Sequence, residues 1–407
     1  MNTVDQDALG RRLREVRSWR QLSLRAAAEL AGLSHGYLGE LERGEKVVTS
    51  RATLEGLATA LRVSPQELTG TPYPPTNPVG SDAHAALAEV EHALSTLNLG
   101  IDPGVAARPW AELAAEVNHL NTVLRASADY AAQGQVVPEL LQQLHAAYLQ
   151  QPHHRAAILI GLLHTYHSAA VLTKNLGVRG LPVVAAREAE HCAERLEMPE
   201  WRAFAAWLRG HAAGAHGRTF QYEVSLRALD ELRGHLDGVN TRQIAGMLHL
   251  NAALACAARA DADRTYEHLG EASELAARLP ENRENFGYLH FGHNNVGVWR
   301  VSLGTELGRG PAVAEIARHV RVDLLPAKAR RGMFYADLGR ALATDRSTRE
   351  QGLRSLITAE SIAPQRVRNS PLVRETVADL LGRSPRDSRS DRDLRGLAWR
   401  MGVAPSG

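Results

Sequence analysis

From residue 185 onward a small residue recurs at a spacing near 40, followed by further small or apolar residues four and seven positions later. The sets are Ala185/Ala189/Cys192, Ser225/Leu229/Leu232, Thr265/Leu269/Ala272, Ala312/Ile316/His319 and Gly352/Leu356/Ala359. Their starts are separated by 40, 40, 47 and 40 residues. Steps of four and seven lie on one helical face, and a small leading residue lets a second helix come close. A unit of this size with a single apolar stripe cannot bury it alone. The pattern therefore predicts a stack of helix hairpins, each covered by its neighbours. Ala212 and Ala213 recur as Ala252 and Ala253, the expected echo in the partner helices. His319, in a slot suited to a small residue, is the exception.

The expected fold class is all-α throughout the 407 residues, rich in Ala and Leu and only 5% aromatic. No apolar run of 18 residues and no basic-then-apolar leader stand out, so neither a membrane span nor a secretory signal is expected. Two cysteines, Cys192 and Cys256, fall short of a disulfide framework or a zinc site, as suits a reducing cytoplasm. Of 47 basic residues only Lys46, Lys174 and Lys328 are lysine, and the net charge is +2. Nucleic acid is thus not attracted by a global field, and any binding has to come from local arrangement.

Four prolines between 72 and 78, in "GTPYPPTNPVGS", oppose helix and favour an extended spacer. This divides the chain into a compact unit (1–70), a Pro-rich linker (71–81) and the repeat region (82–382). A polar linker with a short terminal helix follows (383–407). In the first unit Leu9, Leu13 and Val16 mark one helix. Ser23, Ser34 and Ser50 stand where N-caps of the next three belong, and Gly32 is placed to stop the second. Leu38 and Leu41 point inward, and Leu54, Leu57, Ala58 and Leu61 form a stripe. "SPQE" at 64–67 reads as a capping box opening a fifth helix.

The run "LSLRAAAELAGLSHGYLGELERGE", residues 22–45, resembles the Xre/Cro/C1-type helix-turn-helix of phage repressors and bacterial regulators. The likeness rests on Leu22-Ser23, Ala28, Ala31-Gly32-Leu33-Ser34, Leu38 and Leu41-Glu42-Arg43-Gly44, with "TLEGLATAL" at 53–61 matching that family's fourth helix. It implies a five-helix lambda-repressor-like domain that binds double-stranded operator DNA. By position His35, Gly36, Tyr37 and Glu40 would face base edges and Arg43 the backbone. Leu24 stands where the family often has a phosphate-touching Gln. Gly36 and Gly39 would let the backbone sit close to the groove. Glu40 either accepts from a cytosine amino group or repels phosphate, and Tyr37 either meets a thymine methyl or is a surface aromatic. Phosphate attraction is expected from Arg11, Arg12, Arg14, Arg17, Arg25, Arg43, Lys46 and Arg51. Residues 1–70 carry ten basic and nine acidic side chains, so one unit should bind weakly. A homodimer on half-sites about 34 Å apart is expected.

The repeat region resembles a tetratricopeptide-type array. Its C-terminal third, with "NNVGVWRVSLGTELG", "MFYADLGRALA" and "PQRVRNSPLVRETVADLL", is similar to the repeat region of Xre-type regulators from actinomycetes. The resemblance implies a domain that senses a signal for the helix-turn-helix. "YLHFGHNNVGVWR", residues 288–300, is its most polar-aromatic stretch, and the adjacent Asn294 and Asn295 disfavour helix. His290, Asn294, Asn295 and Trp299 are the candidate contacts for a peptide or small-molecule effector, with Asn251 and "NHLN" at 118–121 as weaker ones; inter-repeat hydrogen bonding and a core Trp are the competing reading. His153-His154 and His164/His167 lack supporting carboxylates or cysteines for a metal. No nucleophile elbow, phosphate loop or catalytic carboxylate pair is recognisable, so no cofactor and no enzymatic activity are expected. The sequence points to a cytoplasmic transcriptional regulator; a protein–protein interaction module with a secondary DNA-binding unit is the alternative.

Overall fold

A computed structural model describes residues 8–63, 65–69, 83–213, 217–383 and 389–403. The Pro-rich segment 71–81, Ser64 of the expected capping box, and 384–388 of the polar stretch lie outside the described residues. Among the described residues the chain is all helical, an N-terminal helix-turn-helix followed by helices packed in a repeat-like arrangement.

The first unit is built from α1 (Ala8–Trp19), α2 (Leu24–Leu30), α3 (His35–Glu42), α4 (Arg51–Leu61) and α5 (Pro65–Thr69). Three serines start three of them, each hydroxyl accepting from a backbone N–H that the helix leaves unpaired. Ser23 accepts from Ala26 N, Ser34 from Tyr37 N and Ser50 from Thr53 N, at 3.1, 3.2 and 3.1 Å. Gly32 takes φ +69°, the left-handed conformation that ends α2. Leu13, Leu38, Leu41, Leu57 and Leu61 fill the small core.

Beyond it come α6 (Leu87–Thr96) and α7 (Trp110–His119), which runs through a π turn (Leu120–Leu124) into Arg125–Ser127. Then follow α8 (Tyr130–Gln150), α9 (Arg155–Asn175), α10 (Leu181–Leu196), α11 (Pro199–Ala212), α12 (Arg218–Glu231) and α13 (Val239–Ala257). The array continues with α14 (Ala262–Ala277), α15 (His293–Glu306), α16 (Val313–Arg318), α17 (Lys328–Ala343), α18 (Arg349–Ile362), α19 (Pro364–Arg368) and α20 (Pro371–Gly382). The expected terminal helix is α21 (Arg389–Arg400). Consecutive helices pack on each other, most extensively α9 on α10, α13 on α14 and α17 on α18.

The 40-residue register corresponds to α10, α12, α14 and α18. Ala185, Ser225, Thr265 and Gly352 are all buried at helix–helix contacts. A Cβ on Gly352 would stand 2.9 Å from Ala343 N and 3.0 Å from Gly339 O, so α17 and α18 touch backbone to backbone there. The slot at 312 departs from the pattern. α16 has only six residues, Ala312 and His319 lie outside it, and both are exposed. His319 is tolerated because it is exposed, with Nε2 3.7 Å from Glu315 and no crossing helix on it.

Among the described residues one helical stretch, Pro152–Asn175, is long and apolar enough to cross a membrane, with mean hydropathy 1.4. It includes α9 and is mostly buried between α8 and α10. The array also curls back on itself. Gln365 of α19 accepts from Tyr130 N and Ala131 N at 2.8 and 3.3 Å and donates to Asp129 at 3.1 Å, capping α8 from the far end of the chain.

The helix-turn-helix is docked on this array. Glu55 of α4 accepts from Arg218 Nε and Nη2 at 2.6–3.1 Å, with both side chains buried. Arg340 donates to Thr49 O at 3.0 Å, and Leu372 of α20 joins the core of the first unit. Breaking a buried pair leaves one uncompensated charge, a loss of roughly 3–5 kcal/mol. We expect Arg218→Met to undock the first unit, giving a separate early transition in urea before the array unfolds. A single unshifted transition would show that Glu55 is not what holds it.

On α20, Glu375 faces Arg374, Arg12 of α1 and Asp379, and burial pushes its carboxyl up to about 7. A folded-state pKa above the unfolded value means that its ionisation opposes the folded state. Stability is lost as pH rises from about 4.5 to 7. The melting temperature of Glu375→Gln should therefore gain on wild type across that window; a constant difference would show Glu375 ionises freely.

Candidate nucleic-acid interface and inner surface

α3 is presented by its capping serine and by α1, whose Arg17 grips Glu42 through Nε and Nη2 at 2.5 and 2.8 Å and donates to Leu22 O at 2.9 Å. Glu42 thus anchors the turn. His35 and Gly36 are exposed at the start of α3. A Cβ on Gly36 would meet nothing within 4 Å, so its lack of a side chain answers no need of its own chain and leaves room for an approaching surface. Leu24 lies against Gly39, 3.4 Å from where a Cβ would be, and serves packing.

The cations on this face are held by its own glutamates. Lys46 Nζ is 2.7 Å from Glu40 and 5.4 Å from the Tyr37 ring centroid. Arg43 meets Glu45 at 2.6 and 2.8 Å, and exposed Arg25 meets Glu29 at 3.2 Å. Half-buried Tyr37 has its phenol pKa raised by burial, with Lys46 opposing and Glu40 and Asp379 of α20 adding to the shift. Arg51 corrects the expectation of a phosphate contact. Its backbone N–H donates to Glu306 at 3.1 Å and its guanidinium lies 3.5 Å from the same carboxylate, so it faces the array. Glu306 is buried. Burial alone would raise its pKa, but Arg340 and Arg51 outweigh that and hold it below the ordinary carboxylate range.

The effector candidates do not form an open face. Asn251 is buried, with Oδ1 accepting from Gln221 at 2.6 Å and Nδ2 reaching Trp207 O and Ser225 Oγ at 3.4 Å, a clamp between α11, α12 and α13. Asn295 is buried and donates to Leu289 O at 3.1 Å. Trp299 is buried beneath Arg330, whose Cζ is 5.1 Å from the ring centroid. Asn294 is half-buried. α15 begins only at His293, so the paired asparagines occupy its first turn, where a helix tolerates them; the propensity penalty read from sequence does not arise. His290 lies before that helix at φ +54°, bonded to Asn285, with its pKa lowered to about 4 by burial and then by Arg125 and Arg330. Of "NHLN", Asn121 is buried and bonded to Val117 O, and Asn118 accepts from Tyr288 Oη at 3.3 Å.

His164 and His167 stand edge-on to aromatic rings, His164 to Trp201, Phe204 and Tyr288 and His167 to Phe204 and Trp207, at 4.9–5.9 Å between centroids. Burial, reinforced by Arg125, lowers His164 to about 3. Among the described residues no three His, Cys, Asp or Glu side chains converge. Sequence reasoning missed Glu55 and Arg218, whose signal was an acid inside the apolar stripe of α4. It also missed Arg125, Lys174, Arg330 and Arg366, which share an interior but no motif.

Residues 8–69 match the sequence profile of a helix-turn-helix domain. No curated protein and no solved structure matches the chain. The helix-turn-helix supports a DNA-binding regulator, and a phosphate would meet Arg43 and Lys46 only after they leave Glu45 and Glu40. Glu45→Gln should therefore tighten binding to all DNA sequences severalfold and steepen log K against log salt by up to about one unit. Unchanged affinity and slope in a fluorescence-anisotropy titration would remove Arg43 from the phosphate contacts.

Proposed function

We propose that this chain is a sequence-specific transcriptional regulator of the Xre type, acting in the cytoplasm as a homodimer, with a tetratricopeptide-like array that senses an effector and catalyses no reaction. The matched helix-turn-helix, with a serine-capped α3 exposing His35 and Gly36, carries the reading. Near-balanced charge in the first unit supports dimeric binding, because one copy offers few free cations for phosphate. The buried ion pairs between α4 and the array support coupling. An effector that favours one array arrangement over another would change how the DNA-reading helix is held, and one binding both equally would shift nothing.

The test is selection of a preferred site from random DNA by the full chain, followed by anisotropy titrations. Two half-sites about 34 Å apart are expected, with a sedimentation mass of two chains on one duplex. Tyr37→Ala should alter preference at one or two base pairs, whereas Arg43→Ala should weaken all sequences alike. Unchanged affinity and selectivity in the Tyr37/Arg43 double variant would overturn the assignment of α3 as reader.

A further inference from the structure

The inner surface of the array carries more positive charge than its own carboxylates balance. Beside α4 the account is even: Arg51, Arg218 and Arg340 meet Glu55, Glu306 and Asp337. Farther in, Arg125, Lys174, Arg330 and Arg366 have no ion pair with a carboxylate among the described residues. Arg125, Lys174 and Arg330 turn to neutral groups instead. Arg125 donates to Asn121 Oδ1 and Tyr288 O at 3.0 and 3.4 Å and lies 3.5 Å from His167 Nε2. Lys174 donates to His211 O at 2.5 Å, and Arg330 rests over Trp299.

Curling of the array brings these four together. α17, with Arg330, packs on the Arg125–Ser127 turn and on α19, which carries Arg366. Gln365, next to Arg366, caps α8. From Lys174 a continuous series of contacts leads back to Arg125. His211 stacks on Trp207 at 5.4 Å, Trp207 meets His167 at 5.2 Å, and His167 meets Arg125. All four cations are half-buried, so none is sealed from an approaching ligand. The buried Nδ1 atoms of His164 and His167 and Nε1 of Trp299 have no hydrogen-bond partner. Burial lowers Arg125 and Arg330 to about 10, and for Arg330 the neighbouring Arg366 adds to the shift. Lys174 is driven well down by burial and then by Arg218, Arg51 and Arg366. Uncompensated interior cations are unfavourable, and neutral side chains would pack as well without that penalty. An oxyanion removes both the missing hydrogen bonds and the mutual repulsion.

We propose that this interior is the effector site, and that it binds a metabolite-sized compound carrying two or more phosphate groups, gripped by Arg125, Lys174, Arg330 and Arg366. Three guanidinium forks and one ammonium suit phosphoryl oxygens, and four cations call for several negative charges in a small volume. The inference deepens the regulator reading and rests on it only for the consequence at DNA. Lys174 and Arg218 lie within each other's field, so an anion there alters the charge balance at the Glu55–Arg218 pair that holds α4.

The test is calorimetric titration and thermal unfolding of the full chain without DNA, using tripolyphosphate, ATP, adenosine and citrate. Tripolyphosphate and ATP should bind saturably, one per chain, and raise the melting temperature; adenosine should do neither. Arg330→Gln/Arg366→Gln should melt, unliganded, no lower than wild type, because a repulsion has been removed, and should lose at least about tenfold in ATP affinity, roughly 1.4 kcal/mol. Arg43→Gln/Lys46→Gln, at the DNA face, should bind ATP as wild type does. Absence of saturable polyphosphate binding, undiminished binding in the interior variant, or loss of it in the DNA-face variant would each overturn the site. A lowered unliganded melting temperature of the interior variant would mark the cations as structural and overturn it equally. Citrate binding as tightly as tripolyphosphate would overturn the phosphate assignment. Failure of DNA binding alone would count against the regulator reading and leave the anion site standing.

Discussion

A buried carboxylate on the helix-turn-helix is tied to a buried guanidinium on the array, and a polar chain continues inward from that pair. Glu55 holds Arg218, and Arg218 Nη1 donates to Gln221 at 2.6 Å. Gln221 Nε2 then donates to Asn251 O and Oδ1, and Asn251 reaches Trp207 O and Ser225. Each member satisfies the next, which is the condition under which buried polar groups favour one arrangement over others. Removing one of them leaves its neighbour desolvated and unpaired. Groups on α11, α12 and α13 thus help to hold α4, and with it the helix-turn-helix, in place.

The same charge logic governs the rest of the interior. Glu306 is neutralised twice, by Arg51 from the helix-turn-helix and by Arg340 from α17, so a second contact between the two regions is electrostatic and shielded from salt. The aromatic cluster around Phe204 holds His164 and His167 neutral beside Arg125, where an imidazolium would add to an existing excess of positive charge. On the outer face Arg25 and Arg43 are paired with exposed glutamates and Lys46 with half-buried Glu40, pairs that hold them weakly and release them readily. These outer pairs are thus exchangeable, and the buried pairs that hold the fold are not.

Much of the local structure was legible. Ser23, Ser34 and Ser50 act as caps because a hydroxyl before an apolar-periodic run has one favourable use, and Gly32 stops α2 because only a residue tolerant of positive φ can. The 40-residue register marked real helix contacts wherever the small residue was needed by a crossing helix, as at Gly352 against Gly339. It failed at 312, where the helix is short and Ala312 and His319 are exposed. Three of the candidate effector residues are buried in the folded chain. Asn251, Asn295 and Trp299 were chosen for chemistry that serves buried hydrogen bonding and stacking as well as it serves a ligand, and only burial separates the two.

Local chemistry, written residue by residue, determined the helices, their caps, the helix-turn-helix and the repeat length, because each depends on neighbours within a turn or two. Arg51 shows where that reach ends. By sequence it is one more cation near a DNA-reading helix, and in the folded chain it answers Glu306, 255 positions away. The gathering of Arg125, Lys174, Arg330 and Arg366 is of the same kind. Nothing in their spacing relates them, and their proximity exists only because the array curls far enough for α19 to cap α8. Which charges are paired, and which are left without a carboxylate, is decided by closure of the chain, since pairing depends on distance in space and the sequence records only distance along the backbone.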